Sequence, residues 1–261
     1  WLNDKTFSAN HSYYDSSTIE EYWDNTKPSD RQYPFFSNFK NGIKIYPILS
    51  PSELEIILYA NSNDGKEIFS EKVGDMISPS NEFIDTDINT IFNDAGIDVS
   101  TISSFGVRAQ AINDSKIPTR IGHQLIYGAG GLNSSINVVL GNPNVFTPQG
   151  KKSMKWGQIV VGGGFDTFFA ITADSKENKE ITKHVGIITF YDKNGKLEER
   201  KVDVLNGTSV KLEASNEFKE FIDYEKPEYI WCNIESENHG LNFFAATYNR
   251  QTKHCSGDHG F

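Results

Sequence analysis

The sequence lacks most of the features that identify a common enzyme or a membrane protein. No apolar run approaches the roughly 20 residues that a transmembrane helix needs, so we expect no membrane span. Gly-x-Ser-x-Gly, HExxH and EF-hand motifs are all absent, which removes the commonest hydrolase and metal-site signatures without excluding an enzyme. Asp and Glu outnumber Lys and Arg by 35 to 25, giving a net charge of −10. This acidic balance disfavours nucleic acid and anionic membranes as partners.

Cysteine is scarce, with only Cys232 and Cys255 present. On adjacent antiparallel strands in an oxidising compartment they could form a disulfide that contributes about 3 kcal/mol. Two free thiols in a reducing compartment fit the sequence equally well. Cys255 as a nucleophile activated by His254 is disfavoured, because neighbouring strand residues point to opposite faces. Scarce cysteine and Asn-rich turns favour an exported bacterial protein, so we expect an extracytoplasmic location.

Period-two patterning and turn dipeptides dominate what is present. Runs rich in Ile, Val, Tyr and Phe predict strands at 43–49, 54–60, 136–141 and 185–191. The dipeptides Asn194-Gly195 and Asn206-Gly207 tolerate the positive φ that tight turns require. Apolar residues spaced for one helix face predict short helices within 80–96 and 215–227. The pattern as a whole predicts an all-β fold.

A repeat is also visible. Both helical segments begin with Ser-Asn-Glu-Phe, and the stretches before them, 56–73 and 187–202, each run from a strand ending in Tyr through a Gly-Lys turn to a charged strand. After the helices, 105–111 matches 229–235, and 120–128 matches 255–261. Independent β-domains that merely share strand-turn-strand order are the alternative to duplication.

We favour duplication and predict two tandem immunoglobulin-like β-sandwich repeats, each with one short helix. The predicted boundaries are an aromatic N-terminal arm at 1–34, a first repeat at 35–142 and a second at 143–261. The arm is expected to pack across a sheet or the domain seam, and the alternative is a platform for sugar rings.

Three consecutive glycines at 162–164 lie within WGQIVVGGGFDTFFAITA. A phosphate loop needs a helix directly after its glycines, whereas aromatic and β-branched residues follow here and predict a strand. The tract is therefore interpreted as a strand-to-strand bend, or as a place where another backbone packs closely.

Residues 154–200 resemble immunoglobulin-like or pilus-chaperone-like β-sandwich modules of exported bacterial proteins. The shared features are an aromatic-x-Gln-Ile start, a Gly-rich step, a Thr-hydrophobic strand and Asp-x-x-Gly-Lys. The resemblance implies a non-catalytic, extracytoplasmic module and transfers no active-site residues. The first half departs from it, since no glycine tract precedes the strand at 54–60.

Two polar sets are candidate sites. The first is a ligand pocket at the domain junction, formed by His123, Arg120, Gln124, Trp156 and Gln158. For His123, the expected repeat mate of His259, the alternative is a core histidine satisfied by a backbone carbonyl.

The second candidate set is a site for a divalent metal near the C-terminus. Its ligands would be His239, His254, Asp258 and His259, although their spacing matches no standard zinc signature. The alternative is a solvated polar turn.

These observations favour an exported, non-enzymatic binding or surface protein of adhesion type, with no cofactor. Its ligand would be a small molecule, a glycan or a protein. The alternatives are a metal-binding protein or metal-dependent enzyme that uses the C-terminal cluster, and a carbohydrate-binding module.

Overall fold

The computed structural model describes most of the chain. The described residues are 23–24, 28–45, 52–76, 84–113, 116–118, 120–141, 153–173, 183–221, 225–237 and 240–260. Within them no helix has the length and apolar composition that crossing a membrane takes.

The fold is all-β, as predicted, and its strands form antiparallel sheets. In chain order the strands are β1 (Trp23–Asp24), β2 (Ser29–Pro34), β3 (Lys40–Ile45), β4 (Leu54–Ser62), β5 (Glu67–Met76), β6 (Ile84–Asp87), β7 (Ile102–Ala111), β8 (Ile117–Pro118), β9 (Arg120–Gly128), β10 (Ile136–Gly141), β11 (Ser153–Val161), β12 (Phe165–Ala173), β13 (Lys183–Asp192), β14 (Gly195–Leu205), β15 (Ser209–Glu213), β16 (Glu228–Ser236), β17 (Leu241–Asn249) and β18 (Cys255–His259). The predicted strands at 54–60, 136–141 and 185–191 lie in β4, β10 and β13, while 46–49 of the fourth lies outside the described residues.

The two predicted helices are present but shorter than their patterns. Helix α1 (Ile88–Asp94) begins after Asp87, whose side chain accepts a hydrogen bond from the Thr90 amide, and Ile84 belongs to β6 instead. Helix α2 (Ala214–Glu217) is followed by a 3-10 turn, Lys219–Phe221.

The first sandwich is built from an eight-stranded sheet in the order β5-β4-β7-β2-β10-β9-β3-β6. Within the described residues, the strand pairing that joins its two four-stranded halves is that of Asp30 with Gly141. The sheet therefore bends there, and the halves bury one common core between them. Strand β2 belongs to this core, so the last six residues of the predicted 1–34 arm lie inside the sandwich.

The second sandwich has two separate four-stranded sheets. The outer sheet is β11-β16-β13-β14 and the middle sheet is β15-β12-β17-β18. Between them lies a second core that includes Phe169, Phe190 and Phe243.

Strand order is the same in both sandwiches. The half-sheet β5-β4-β7-β2 corresponds to β14-β13-β16-β11, and β10-β9-β3-β6 corresponds to β18-β17-β12-β15. Tandem duplication stays a prediction, and this common order supports it. In this common order β17 is the counterpart of β9. The sequence match of 120–128 with 255–261, however, makes β18 the counterpart of β9.

The middle sheet is buried on both faces, because it also contacts the first sandwich. Phe244 and Ala246 of β17 join the first core, while the alternate residues of that strand join the second. Lys211 of β15 donates 3.0 Å hydrogen bonds to the carbonyls of Phe35 and Ile102. Burial lowers the pKa of Lys211. Each sandwich therefore depends on the middle sheet for part of its packing.

The glycine tract forms a tight turn between β11 and β12, as predicted. Gly162 and Phe165 exchange backbone hydrogen bonds of 3.1 and 3.0 Å, and all three glycines have positive φ. A Cβ on Gly163 would lie 2.5 Å from the Pro227 nitrogen, so another backbone does approach closely. No helix begins at Phe165, and a phosphate loop is excluded here.

Candidate functional site

Exposed apolar side chains are concentrated on the outer sheet. Of the eleven large hydrophobic residues exposed within the described part of the chain, eight lie on its strands and only Ile68, Ile112 and Leu132 lie elsewhere. Seven of the eight share the face that points away from the second core: Met154, Trp156, Val185, Ile187, Tyr191, Tyr229 and Trp231. A concentration of exposed apolar side chains on one face marks an interaction site on many soluble proteins.

The aromatic residues of this face lie on three neighbouring strands. Tyr191 of β13 is directly opposite Trp231 of β16, and Gln158 of β11 is opposite Trp231 on the other side. Trp156 lies one row away, with its ring centroid 5.5 Å from that of Trp231 and the planes tilted by 51°. Since paired strands are about 4.8 Å apart, the three rings extend across roughly 10 Å of sheet.

Uncharged polar groups complete this part of the face. We call this part of the face, aromatic and polar residues together, the aromatic block. It consists of Trp156, Gln158, Val160, Thr189, Tyr191, Tyr229, Trp231 and Asn233. None of these side chains carries a charge at neutral pH. Charged side chains border the block on β14, where Lys196 is opposite Tyr191 and Glu199 is opposite Thr189, and in the next row, which contains Glu235 and Lys201.

Asn233 contains an unsatisfied acceptor in the middle of the block. It lies between Trp156 and Thr189, and its Nδ2 donates to Glu235 Oε1 at 3.3 Å. Its Oδ1 is buried and has no hydrogen-bond partner among the described residues. Burying a carbonyl oxygen without a donor costs roughly 1–3 kcal/mol. A turn of the side chain that brought Oδ1 to the surface would let a ligand hydroxyl or amide remove that cost.

The corresponding face of the first sandwich has different chemistry. There Arg108 is 2.9 Å from Asp30, and Gln110 donates to Glu55 at 2.8 Å. Tyr59 is buried, with the Arg108 guanidinium 4.8 Å from its ring centroid and its hydroxyl donating to Asp30. The same strand order thus folds with a charged, ion-paired face. The exposed aromatic residues of the outer sheet are therefore not a requirement of the fold.

The residues of the predicted junction pocket lie in different layers. Trp156 and Gln158 are neighbours on the exposed outer face. His123 is buried in the first core, on the far side of the middle sheet, and Gln124 points to the opposite face of β9. The backbone of Arg120 pairs with Gly141, and its side chain lies outside the described part of the chain. The structure brings together Trp156 and Gln158 only.

His123 has the surroundings of a neutral core histidine. Its Nε2 is 2.6 Å from the Tyr33 hydroxyl, and its Nδ1 is 3.4 Å from the Ile121 carbonyl oxygen. Burial, assisted by the positive charge of Arg31, lowers the pKa of His123 to about 3. A neutral imidazole satisfies both contacts by accepting from Tyr33 and donating to Ile121.

The predicted metal ligands lie on or beside β18. His254 Nδ1 accepts a 2.8 Å hydrogen bond from the Leu132 amide. Asp258 and His259 are consecutive in β18 and point to opposite faces, while His239 lies outside the described residues. Within the described ranges, no three His, Cys, Asp or Glu side chains are grouped so that they could hold a metal ion. The metal site stays a prediction.

The two cysteines are free and lie in different sheets. Cys232 of β16 faces the second core, and burial raises the pKa of its thiol to about 12. Cys255 lies in β18 of the middle sheet, and burial raises its pKa to about 11. Of the two alternatives, the structure has the free thiols, because β16 belongs to the outer sheet and β18 to the middle sheet and the two strands are not adjacent. Neither thiol is activated as a nucleophile.

The fold and the aromatic block define an all-β protein of two packed sandwiches with an exposed aromatic sheet face. No family model matches the chain, and no curated protein matches it.

Among solved structures, the chain is similar to a Bacteroides uniformis β-glucuronidase with 10% identity and a TM-score of 0.24, covering 99% of this chain and 29% of that one. It is also similar to B. uniformis β-glucuronidase 2 covalently bound to cyclophellitol-6-carboxylate aziridine, with 11% identity, a TM-score of 0.23, and the same coverage of 99% and 29%. The chain thus spans less than a third of the length of these proteins.

Proposed function

We propose that this chain is an exported, non-enzymatic binding protein of surface or adhesion type, and that its ligand binds to the aromatic block. The single observation that carries the proposal is the exposure of Trp156, Tyr191, Tyr229 and Trp231 at 43%, 37%, 52% and 46% on one sheet face. Burying a large apolar side chain contributes roughly 1.5–3 kcal/mol. Four exposed aromatic side chains therefore leave a substantial free energy of burial that a bound ligand can recover.

The residue types support binding in particular. Trp and Tyr are enriched at the centres of protein interfaces and ligand sites, because each has a large rigid apolar body and a polar tip. The common strand order adds a comparison within one molecule, since the equivalent face around Tyr59 is ion-paired and presents no such surface. The extracytoplasmic location rests on composition and on the resemblance of residues 154–200, and it belongs to the same proposal.

The proposal is tested by comparing the full chain with its W156A/W231A variant on an array that carries both glycans and extracellular proteins. We expect the wild type to bind at least one class of ligand and the variant to lose that binding. Since both side chains are nearly half exposed, the far-UV circular dichroism of the variant should be unchanged.

The matched control is I68A, which truncates an exposed apolar side chain of the first sandwich. It should bind like the wild type. Binding that survives in W156A/W231A would place the ligand site elsewhere and reject the aromatic block.

A further inference from the structure

We propose that the ligand of the aromatic block is an uncharged glycan whose sugar rings stack on Trp156, Trp231 and the neighbouring tyrosines. This inference rests on the proposed function and assigns the chemical class of its ligand. Three features of the block support it: its charge, its alternation of rings with polar groups, and the unpaired oxygen of Asn233.

Charge is the first feature. The chain has a net charge of −10, yet the aromatic block contains no charged side chain, and the charged side chains that border it balance in sign. Lys196 bridges Glu199 at 2.7 Å, and Glu235 and Lys201 of the next row carry opposite charges. A surface without net charge is complementary to a neutral ligand and gives an anionic ligand no excess of positive charge to pair with.

The alternation of groups is the second feature. A sugar ring presents C–H groups on its faces and hydroxyl groups around its rim. Aromatic faces carry negative potential and attract C–H groups, while the rim needs hydrogen-bond partners. Trp156, Trp231 and Tyr191 supply the faces, and Gln158 and Asn233 supply amides between the tryptophans. A partner protein that bound with a purely apolar surface would leave the amides of Gln158 and Asn233 without hydrogen-bond partners.

The unpaired oxygen is the third feature. Asn233 Oδ1 lacks a donor among the described residues, and it lies directly across from Trp156. Because Oδ1 is buried, a sugar hydroxyl can donate to it once the Asn233 side chain turns toward the ring of Trp156. The free protein therefore carries an unsatisfied acceptor beside the surface where the ligand brings hydroxyl groups.

The experiment uses the full chain with both N-terminal tryptophans replaced, W1F/W23F. The chain has four tryptophans, so Trp156 and Trp231 then become its only reporters of fluorescence. Cellohexaose, xylohexaose and mannohexaose are titrated as neutral probes, and a galacturonate hexamer is titrated as the anionic probe. We expect at least one neutral probe to shift the emission saturably, with an affinity that does not change between 50 and 500 mM NaCl, and the anionic probe to have no effect.

Four variants separate stacking from structure. W231A should lose at least tenfold in affinity, whereas W231Y should recover most of it because the ring is kept. I187A lies on the same face outside the block and should bind like the parent. N233L should bind at least tenfold more weakly while its melting temperature stays equal or rises, since leucine leaves no unsatisfied oxygen.

The outcomes distinguish this inference from the proposed function. Failure of all neutral probes would overturn the glycan assignment, and so would a dimer in the parent that W156A/W231A converts to a monomer. A protein ligand that binds through the block would also overturn it while leaving the proposed function intact. Neutral glycan binding that persists in W156A/W231A would overturn both.

Discussion

Acid destabilisation through His123 can be predicted quantitatively. Complete burial in the first core lowers the pKa of His123 to about 3, against about 6.5 for an unfolded histidine. Among the described residues, the charge that contributes is that of Arg31, which opposes protonation in the same direction as burial. Between these two pKa values the unfolded state binds a proton that the folded state does not.

The sign and size follow from proton linkage. Because the folded pKa lies below the unfolded one, stability rises with pH between about 3 and 6.5. The stabilisation is complete above the unfolded pKa and is lost as the pH falls. One pKa unit corresponds to 1.36 kcal/mol, so His123 alone should remove about 2 kcal/mol of stability between pH 7 and pH 5. A folded pKa one unit higher would leave this figure almost unchanged.

Urea unfolding at pH 7 and pH 5 measures the effect as a difference between wild type and H123Q. We expect the wild type to lose about 2 kcal/mol more than H123Q, since glutamine has no group that titrates in this range. Y33F is the control, because it removes the 2.6 Å contact to His123 but keeps the imidazole buried. Equal losses in wild type and H123Q would show that His123 is not a buried neutral histidine and would refute the reasoning.

Three further predictions concern the turn, the middle sheet and the metal. G163A should lower stability more than G164A. Both glycines have positive φ, where alanine costs about 1–2 kcal/mol, but only at Gly163 would a Cβ clash with another backbone; equal melting temperatures would contradict this. F243A should cost about 3–5 kcal/mol and speed hydrogen exchange in both sandwiches, because the middle sheet supports both cores. Faster exchange in the second sandwich alone would show independent units. If the metal prediction holds, elemental analysis will find a stoichiometric metal that the H254A/H259A variant lacks, and metal-free wild-type protein contradicts it.

Local patterns predicted the fold class because strands and turns are encoded within short windows. The alternation at 54–60 and 136–141 specified β4 and β10. The residues after the glycine tract specified a strand and thereby excluded a phosphate loop. Helix α1 was detectable from its spacing, but its start was not, since Asp87 caps the helix only because the backbone is extended there.

The aromatic block was missed for a physical reason. In β16, apolar residues point to both faces of the sheet: Ile230, Cys232 and Ile234 to one, and Tyr229 and Trp231 to the other. Such a strand normally lies between two covered faces, so its sequence does not reveal that one face is bare. The detectable signal was that Trp and Tyr occur at alternate residues, which share one face of the sheet. Trp156 and Gln158 of the predicted pocket belong to that face. Which layers pack against the middle sheet depends on side-chain fit across the seam, and no short window contains that information.

Tyr59 and Tyr191 occupy equivalent positions in the common strand order, yet one is buried in its sandwich and the other is exposed. Each follows the same strand pattern, and each faces outward from β4 or β13. Opposite Tyr59 lies Gly106, where an added Cβ would lie 2.0 Å from the tyrosine Cζ, so the ring lies flat over bare backbone. Opposite Tyr191 lies Trp231, which occupies that space and leaves the tyrosine exposed. Glycine opposite Tyr59 leaves room for the ring to lie over the sheet, where Asp30 and Arg108 also contact it, whereas tryptophan opposite Tyr191 fills that room and the tyrosine stays exposed.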